Sequence, residues 1–162
     1  MDGKLRNMAS LYLMDGERML FLYRVGSRVV SDSYIGSAGG HFEKEELNDA
    51  KACVLRELHE ETGLVENDIE NLSLRYVTLR LRDGEIRQNY YFFADLVNKD
   101  IALKSNEGGL EWADMEKSLE LEMPYTAKYV VEHFLKEGRK NKKLYVGVAS
   151  ESGILFTELE EF

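Results

Sequence analysis

Residues 39–64 read GGHFEKEELNDAKACVLRELHEETGL, and this stretch predicts a glycine-containing loop that leads into a helix rich in glutamate. Asp49 is a favourable residue to cap the start of a helix, and Gly63 is a favourable residue just past its end. The positions that recur at helical spacing and would face a core are Val54, Leu55, Leu58 and Thr62. We therefore expect a helix between Asp49 and Gly63.

Three glutamates of this helix, Glu57, Glu60 and Glu61, share another face at spacings i, i+3 and i+4. Like charges at these spacings repel by roughly 0.2–0.5 kcal/mol per pair, and acidic groups in the last turn face the negative end of the helix dipole. A divalent cation such as Mg²⁺ prefers oxygen ligands and would remove both penalties. A solvated acidic face paired with Arg56 or Lys51 explains the cluster equally well, so the cluster alone leaves both interpretations open.

The composition is that of an acidic globular protein. The chain has 162 residues, of which 44% are hydrophobic and 31% charged, and its formal net charge is −9. One domain spanning residues 1–162 is the simplest organisation for this length. The acidic balance disfavours a nucleic acid polymer or an anionic membrane as partner, because binding through counterion release needs a basic surface. A small anionic ligand is still compatible with it, since a bound metal can reverse the local field.

The cysteine content and the hydropathy predict a cytoplasmic protein. Cys53 is the single cysteine, so it cannot form an internal disulfide, and we interpret it as a small buried thiol rather than a nucleophile. No apolar run approaches the roughly 18 residues of a membrane span, and the N-terminus lacks the apolar region of a signal peptide. A reducing cytoplasmic location follows as the default.

The remainder of the chain predicts more strands than helices. Two strands flank the turn at Asp15-Gly16, and residues 25–48 are interpreted as one long Gly- and Ser-rich connection. Further strands are expected at 71–82, at 85–97, in GGLEWADM and in a hairpin near the C-terminus. A second helix is expected in PYTAKYVVEHFLKEG, with Pro124 at its first position. The pattern indicates a mixed α+β fold.

The Asp83-Gly84 turn predicts the register of a long hairpin. A two-residue loop pairs Arg80 with Arg87, and two arginines directly opposite each other are unfavourable unless an anion lies between them. Arg80 and Arg87 are therefore candidate substrate-binding residues, and Tyr91 could stack on a base or sugar. The polar face that they would share comprises Tyr76, Thr78, Arg80, Arg87, Asn89 and Tyr91. A solvated face of long side chains is the alternative, and a slip of one residue would remove the pairing.

Residues 39–64 also resemble the signature of the Nudix hydrolases, G-x5-E-x7-R-E-U-x-E-E-x-G-U, in which U is a bulky aliphatic residue. Gly40 and Glu46 match its opening, and the second half is matched by Arg56, Glu57, Leu58, Glu60, Glu61, Gly63 and Leu64. Two features depart from the pattern. Nine residues instead of seven separate Glu46 from Arg56, and SYIGSAGG stands where many relatives carry an aromatic residue and a proline. The insertion bears on the role of Glu46 more than on the roles of the helix glutamates. Because the helix can start at Asp49, the loop before it absorbs the extra residues without rotating those glutamates.

The resemblance implies a Nudix-like mixed β-sheet sandwiched between α-helices. It implies hydrolysis, dependent on Mg²⁺ or Mn²⁺, of a nucleoside diphosphate linked to another moiety, such as an ordinary or oxidised nucleoside triphosphate. Carried over by position, the metal ligands would be the carboxylates of Glu57, Glu60 and Glu61 and the backbone carbonyl of Gly39. Gly40 would lie against the substrate.

Two further residues receive a role through the resemblance. Arg56 would orient a glutamate, although a simple surface pair with Glu60 is the alternative. Glu107, with Glu111 behind it, would supply the additional carboxylate that family members often use as a ligand or general base. An ordinary loop carboxylate is the alternative at that position.

Other functions remain in competition with hydrolysis of a small nucleotide. A non-catalytic domain that senses a nucleotide or sugar nucleotide would keep the fold, but it would not need the intact set of Glu57, Glu60 and Glu61. A protein-interaction domain leaves the glycine loop unexplained, and cleavage of capped RNA fits poorly with the acidic balance. The sequence leaves association into a homodimer open.

Overall fold

The computed structural model describes residues 1–25 and 32–162. Within these ranges the chain forms nine strands and two α-helices. The strands are β1 (Lys4–Asp15), β2 (Arg18–Arg24), β3 (Ser33–Gly36), β4 (Ala38–His41), β5 (Ile69–Arg82), β6 (Glu85–Leu96), β7 (Gly109–Asp114), β8 (Tyr145–Ser150) and β9 (Gly153–Glu158). The helices are α1 (Ala50–Thr62) and α2 (Tyr125–Lys136). Neither is long and apolar enough to cross a membrane, which holds for every helix in the described residues.

The strands form one mixed sheet in the order β3-β2-β1-β6-β5-β8-β9. Strand β4 pairs with the middle of β1, and β7 pairs with β2. The pairs β1–β6 and β5–β8 are parallel, whereas the other pairs are antiparallel. Strand β1 therefore borders β4, β2 and β6, and it holds the glycine-containing strand β4 next to the centre of the sheet.

The two helices cover opposite faces of the sheet, because successive side chains of a strand point to opposite sides. On one face, α1 packs Val54 and Leu58 against a core that includes Leu11 and Phe92. On the other face, α2 packs Phe134 against Phe93, with the two rings stacked at a centroid distance of 3.8 Å. This arrangement confirms the expected mixed sheet between helices.

Most expected elements are present, with one clear difference. The structure contains the first hairpin, the helix after Asp49, the long hairpin at Asp83-Gly84 and the C-terminal hairpin. Residues 25–48 do not form a single connection, however, since they contain β3 and β4. Part of that predicted connection, residues 26–31, lies outside the described residues. Four-residue strands such as these are too short to show a clear alternation of their own, and pairing with β2 and β1 stabilises them.

The long hairpin has the predicted register, with Arg80 opposite Arg87 and Thr78 opposite Asn89. Asp83 and Gly84 both have positive φ, 54° and 75°, as a two-residue hairpin loop requires. The predicted polar face is not solvated along its length, because α2 covers it and buries Tyr76, Thr78 and Tyr91. Only the end nearest the turn, with Arg80 and Arg87, is left partly open.

Candidate functional site

Local capping fixes where the glutamate-rich helix begins and ends. The Asp49 carboxylate accepts a hydrogen bond from the amide of Ala52 at 2.9 Å. Gly63 adopts φ 76° and donates its amide to the carbonyl of His59 at 2.9 Å. Because both ends are fixed, the insertion before Asp49 does not rotate Glu57, Glu60 and Glu61 relative to the core. The same helix buries Cys53, as expected for a structural thiol.

Glu61 is the most buried of the three glutamates, with a side chain 4% exposed. Its Oε2 accepts a hydrogen bond from the amide of Gly39 at 3.1 Å, and its Oε1 lies 3.9 Å from the guanidinium of Arg24. Burial raises the pKa of Glu61 to about 7, and the nearby negative charge of Glu57 acts in the same direction. A carboxylate in this position is unfavourable without a close cation.

Glu57 lies directly against the backbone of β4. A Cβ atom at position 40 would overlap the Glu57 carboxylate, so the glycine lets this carboxylate lie directly against β4. Burial raises the pKa of Glu57, while the hydrogen bond from Arg56 opposes that shift. At Gly39 a Cβ would come within 2.6 Å of the carbonyl oxygen of Ala9, so both glycines serve close packing.

Arg56 connects three carboxylates of the site. Its Nε and one terminal nitrogen donate to the two oxygens of Glu46, at 2.7 and 3.0 Å. The other terminal nitrogen donates to Glu57 at 2.8 Å and to Glu60 at 3.0 Å. The bidentate pair lowers the pKa of Glu46 to about 2 against the effect of its burial. Arg56 therefore contacts both Glu57 and Glu60, and it pairs with Glu46 despite the two-residue insertion.

Glu60 and Glu107 lie at the outer margin of the site. The Glu60 side chain is 55% exposed and contacts Arg56. Glu107 forms an ion pair with Arg24, the same arginine that approaches Glu61. Glu111 contacts a different residue: it accepts a hydrogen bond from the hydroxyl of Tyr34. The structure thus brings Glu107 near the glutamates of α1, through an arginine that the sequence analysis did not single out.

The donor set of the site suits a hard divalent cation. Its side chains are carboxylates, and such ions bind through oxygen. Two of them, the buried Glu61 and the half-buried Glu57, have a raised pKa. In the described residues no three acidic, histidine or cysteine side chains already converge as a metal site. Arg56 instead pairs with Glu57 and Glu60. Gly39 contacts Glu61 through its backbone amide, which donates a hydrogen bond to the carboxylate. A bound cation would have to draw these carboxylates together.

The residues predicted on the long hairpin lie apart from the glutamates. Arg80 and Arg87 lie on the face of the sheet that α2 covers, with Arg80 over the ring of Tyr125 at 5.1 Å. Tyr91 is 2% exposed and its ring stacks with that of Tyr12. The expectation that Tyr91 stacks on a base or sugar is therefore corrected: α2 and the neighbouring strands enclose its ring.

We expect Gly40→Ala to reduce activity by about 10- to 100-fold while leaving the fold intact. The added methyl group would displace the Glu57 carboxylate, and if this carboxylate holds a metal ion, its misplacement weakens stabilisation of the transition state. Steady-state kinetics and thermal denaturation of the same preparation measure the two effects. Gly109→Ala is the control, because a Cβ there meets no atom within 4 Å. Unchanged activity in Gly40→Ala would contradict a role for the contact between Glu57 and Gly40.

Comparison with known proteins adds a family match and a set of similar structures. The family model of the NUDIX domain matches residues 4–134. A MutT protein from Bacillus halodurans has 22% identity and a TM-score of 0.65, covering 94% of this chain and 97% of that chain. An Ap4A hydrolase from C. elegans, in a binary complex, has 14% identity and a TM-score of 0.66. The match covers 84% of this chain and 99% of that chain.

A third similar structure is the NUDIX domain of NrtR from Shewanella oneidensis, solved with ADP ribose. It has 14% identity and a TM-score of 0.63, covering 87% of this chain and 90% of that chain. No curated protein sequence matches the chain at a significant level. At these identities the structural likeness shows the shared fold.

Proposed function

Because the chain belongs to the Nudix domain family, we propose that it hydrolyses a nucleoside diphosphate linked to another moiety, using Mg²⁺ or Mn²⁺. The observation that carries this proposal is the carboxylate pair of Glu61, which is buried, and Glu57, which is half-buried; they are held against Gly39 and Gly40, and both have a raised pKa. Buried carboxylates of this kind are a common feature of sites that bind a charged ligand or perform catalysis. The substrate would be a small nucleotide handled in the cytoplasm.

Glu57, Glu60, Glu61 and the carbonyl of Gly39 would hold the metal. When bound, a divalent cation supplies positive charge at the diphosphate oxygens and lowers the pKa of a coordinated water. Arg56 would keep the Glu57 carboxylate oriented, because it is itself fixed by both oxygens of Glu46. Gly40, whose lack of a side chain lets the Glu57 carboxylate lie against β4, would also lie against the substrate.

A carboxylate must accept the proton of the attacking water, and we assign this role to Glu107. The assignment rests on its position, since Arg24 joins Glu107 to Glu61 and Glu107 itself stays half exposed to solvent. A general base acts within hydrogen-bond reach of the proton that it takes, directly or through one water. Arg80 and Arg87 would bind an anionic part of the substrate.

A nucleotide panel tests the proposed reaction. Purified protein would be incubated with ordinary and oxidised nucleoside triphosphates, ADP-ribose, dinucleoside polyphosphates and sugar nucleotides, with Mg²⁺, with Mn²⁺ or with EDTA. We expect release of phosphate or pyrophosphate that requires metal, because the charge of the diphosphate must be neutralised for attack on phosphorus. Glu60→Gln should lose most of this activity.

The outcomes separate hydrolysis from sensing. Turnover that is equal with EDTA and with Mg²⁺ would contradict the proposal. A complete lack of turnover, combined with one nucleotide that raises the thermal stability, would instead support a non-catalytic sensor. Glu132→Gln is a suitable control, because Glu132 is a helical glutamate on α2 that pairs with Lys136.

A further inference from the structure

Arg24 is the basic residue that lies nearest to the buried carboxylate of Glu61. It is the last residue of β2, and Leu20 on the same strand belongs to the core beneath α1. Residues four apart on a strand point to the same side, so Arg24 projects toward α1 and its glutamates. Its guanidinium lies 3.9 Å from Oε1 of Glu61 and forms an ion pair with Glu107. Among residues 1–25 and 32–162, no other basic side chain comes within 4.0 Å of a Glu61 oxygen.

Both oxygens of the Glu61 carboxylate are engaged by neighbouring groups. Oε2 accepts the hydrogen bond from the amide of Gly39, and Oε1 faces the guanidinium of Arg24. Because the side chain is buried, water does little to compensate its charge. A divalent cation at Glu61 would therefore have to replace either the Gly39 amide, which is part of strand β4, or the side chain of Arg24.

The contact between Arg24 and Glu61 is easier to give up than the contacts of Arg56. At 3.9 Å it is too long for a hydrogen bond, and the other partner of Arg24, Glu107, is 48% exposed. Arg56 instead donates four hydrogen bonds to carboxylates of the site, two of them to the buried Glu46. Of these two arginines, Arg24 is therefore the one whose side chain can leave at a small cost.

We propose that Arg24 is a displaceable counter-ion, which balances the charge of Glu61 in the metal-free protein and competes with the divalent cation for this carboxylate. The inference rests on the proposed function and concerns the control of the same site. Arg24 is a positioning residue in this role, because it acts through Glu61 and is not a ligand of the metal. Two cations at Oε1 of Glu61 repel each other, so metal binding moves the guanidinium away. The protein therefore binds the metal less tightly than its carboxylates alone would.

Direct binding of Mn²⁺ tests the competition without any nucleotide. Isothermal titration calorimetry would use the full chain at pH 8, after removal of metal with a chelating resin. We expect Arg24→Gln to bind Mn²⁺ about 10-fold more tightly than the wild type, because the substitution removes a positive charge that repels the metal. A divalent cation is repelled twice as strongly as a proton, so the carboxylate gains more affinity for the metal than for a competing proton.

Two further variants separate charge from other effects of the substitution. Arg24→Lys keeps the positive charge, so its affinity for Mn²⁺ should stay within about threefold of the wild-type value. Arg18→Gln is the matched control, since it removes an arginine of the same strand that pairs with Asp15. Arg18 begins β2 and Arg24 ends it, so the two residues are about 20 Å apart along the extended strand.

Thermal denaturation in EDTA distinguishes competition from a purely structural role. Arg24→Gln should lower the Tm of the metal-free protein at pH 8, because Glu61 loses its nearest cation, although the same variant binds Mn²⁺ more tightly. A residue that only maintained the fold would lower both the Tm and the affinity for Mn²⁺. When Glu61 is also replaced by glutamine, Arg24→Gln should change the Tm much less, because no charge is left at position 61 to balance.

The outcomes for this inference and for the proposed function are distinguishable. A folded Arg24→Gln protein that binds Mn²⁺ with the wild-type affinity, or more weakly, would overturn the counter-ion even if the wild type hydrolyses nucleotides. Tighter binding of Mn²⁺ by Arg24→Gln, combined with no hydrolysis of any nucleotide, would support the counter-ion and contradict the proposed hydrolysis. If neither the wild type nor Arg24→Gln binds Mn²⁺, both proposals are wrong.

Discussion

Glu57→Gln should lower kcat with Mg²⁺ by about 10³-fold, equivalent to roughly 4 kcal/mol of transition-state stabilisation. Glutamine has the same shape, and its carbonyl oxygen can still accept the hydrogen bond that Arg56 donates to Glu57. The substitution therefore removes a negative charge from the proposed metal site without removing the contact that orients the side chain. The loss should be large because Glu57 is largely buried against Gly40, where no other side chain can take its place.

Measurements of kcat at several Mg²⁺ concentrations distinguish a metal ligand from a structural residue. If Glu57 binds the metal, the variant should also need a higher Mg²⁺ concentration for half-maximal activity. Glu132→Gln on α2 provides the control for loss of one helical carboxylate. A Glu57→Gln protein that retains more than a tenth of the wild-type kcat at the same Mg²⁺ concentration would show that this carboxylate is not part of the catalytic metal site.

The features that the sequence predicted well are those with local causes. The α1 boundaries follow from Asp49 and Gly63, whose capping contacts lie within a few residues of each other. The register of the long hairpin follows from the positive φ values that Asp83 and Gly84 tolerate. The three glutamates of α1 could be placed on one helical face for the same reason, because their separation is fixed by the helix itself.

The features that the sequence did not reveal depend on distant parts of the chain. Tyr91 is polar enough to suggest a ligand contact, yet α2, more than thirty residues further on, buries it. Arg24 was not singled out, because its relation to Glu61 and Glu107 exists only once β2 lies beside β7.

The three glutamates also differ in how deeply they are buried, and helical periodicity could not predict this difference. Glu60 is exposed, whereas Glu61 lies against β4 and accepts the amide of Gly39. The hydrophobic pattern of α1 placed Thr62 and not Glu61 toward the core, because a buried carboxylate contradicts the usual pattern. Local rules tend to fail at functional sites, and Glu61 is the residue where they fail most clearly here.

The burial of Glu61 predicts that the metal-free protein loses stability as the pH rises. In the folded protein its pKa is about 7, compared with 4.5 for an ordinary glutamate. A raised pKa means that the folded state favours the protonated form, so its stabilising contribution is complete below about pH 4.5 and is lost as the pH rises through 7. At roughly 1.4 kcal/mol per pKa unit, the loss by pH 8 is about 3 kcal/mol.

The groups around Glu61 set the size of this effect. Glu57 and Glu60 on α1 add negative charge, while Arg24 on β2 and the amide of Gly39 on β4 favour the ionised form. Glu57 also has a pKa raised by burial, so it contributes in the same direction. The depressed pKa values of His41 and His133, which are lowered by burial, act in the opposite direction near pH 6. A comparison with Glu61→Gln cancels these other contributions.

We therefore expect Glu61→Gln to be more stable than the wild type at pH 8 in metal-free buffer, and the difference to disappear near pH 5. Urea denaturation at pH 5, 6, 7 and 8 measures it, with Glu66→Gln as the control, because Glu66 is an exposed carboxylate paired with Lys51. Saturating Mg²⁺ should stabilise the wild type most at pH 8, where Glu61 is ionised, and should stabilise Glu61→Gln much less. If the wild type and Glu61→Gln keep the same difference in stability at every pH, Glu61 is not the buried titrating group, and its ionisation cannot be what the metal compensates.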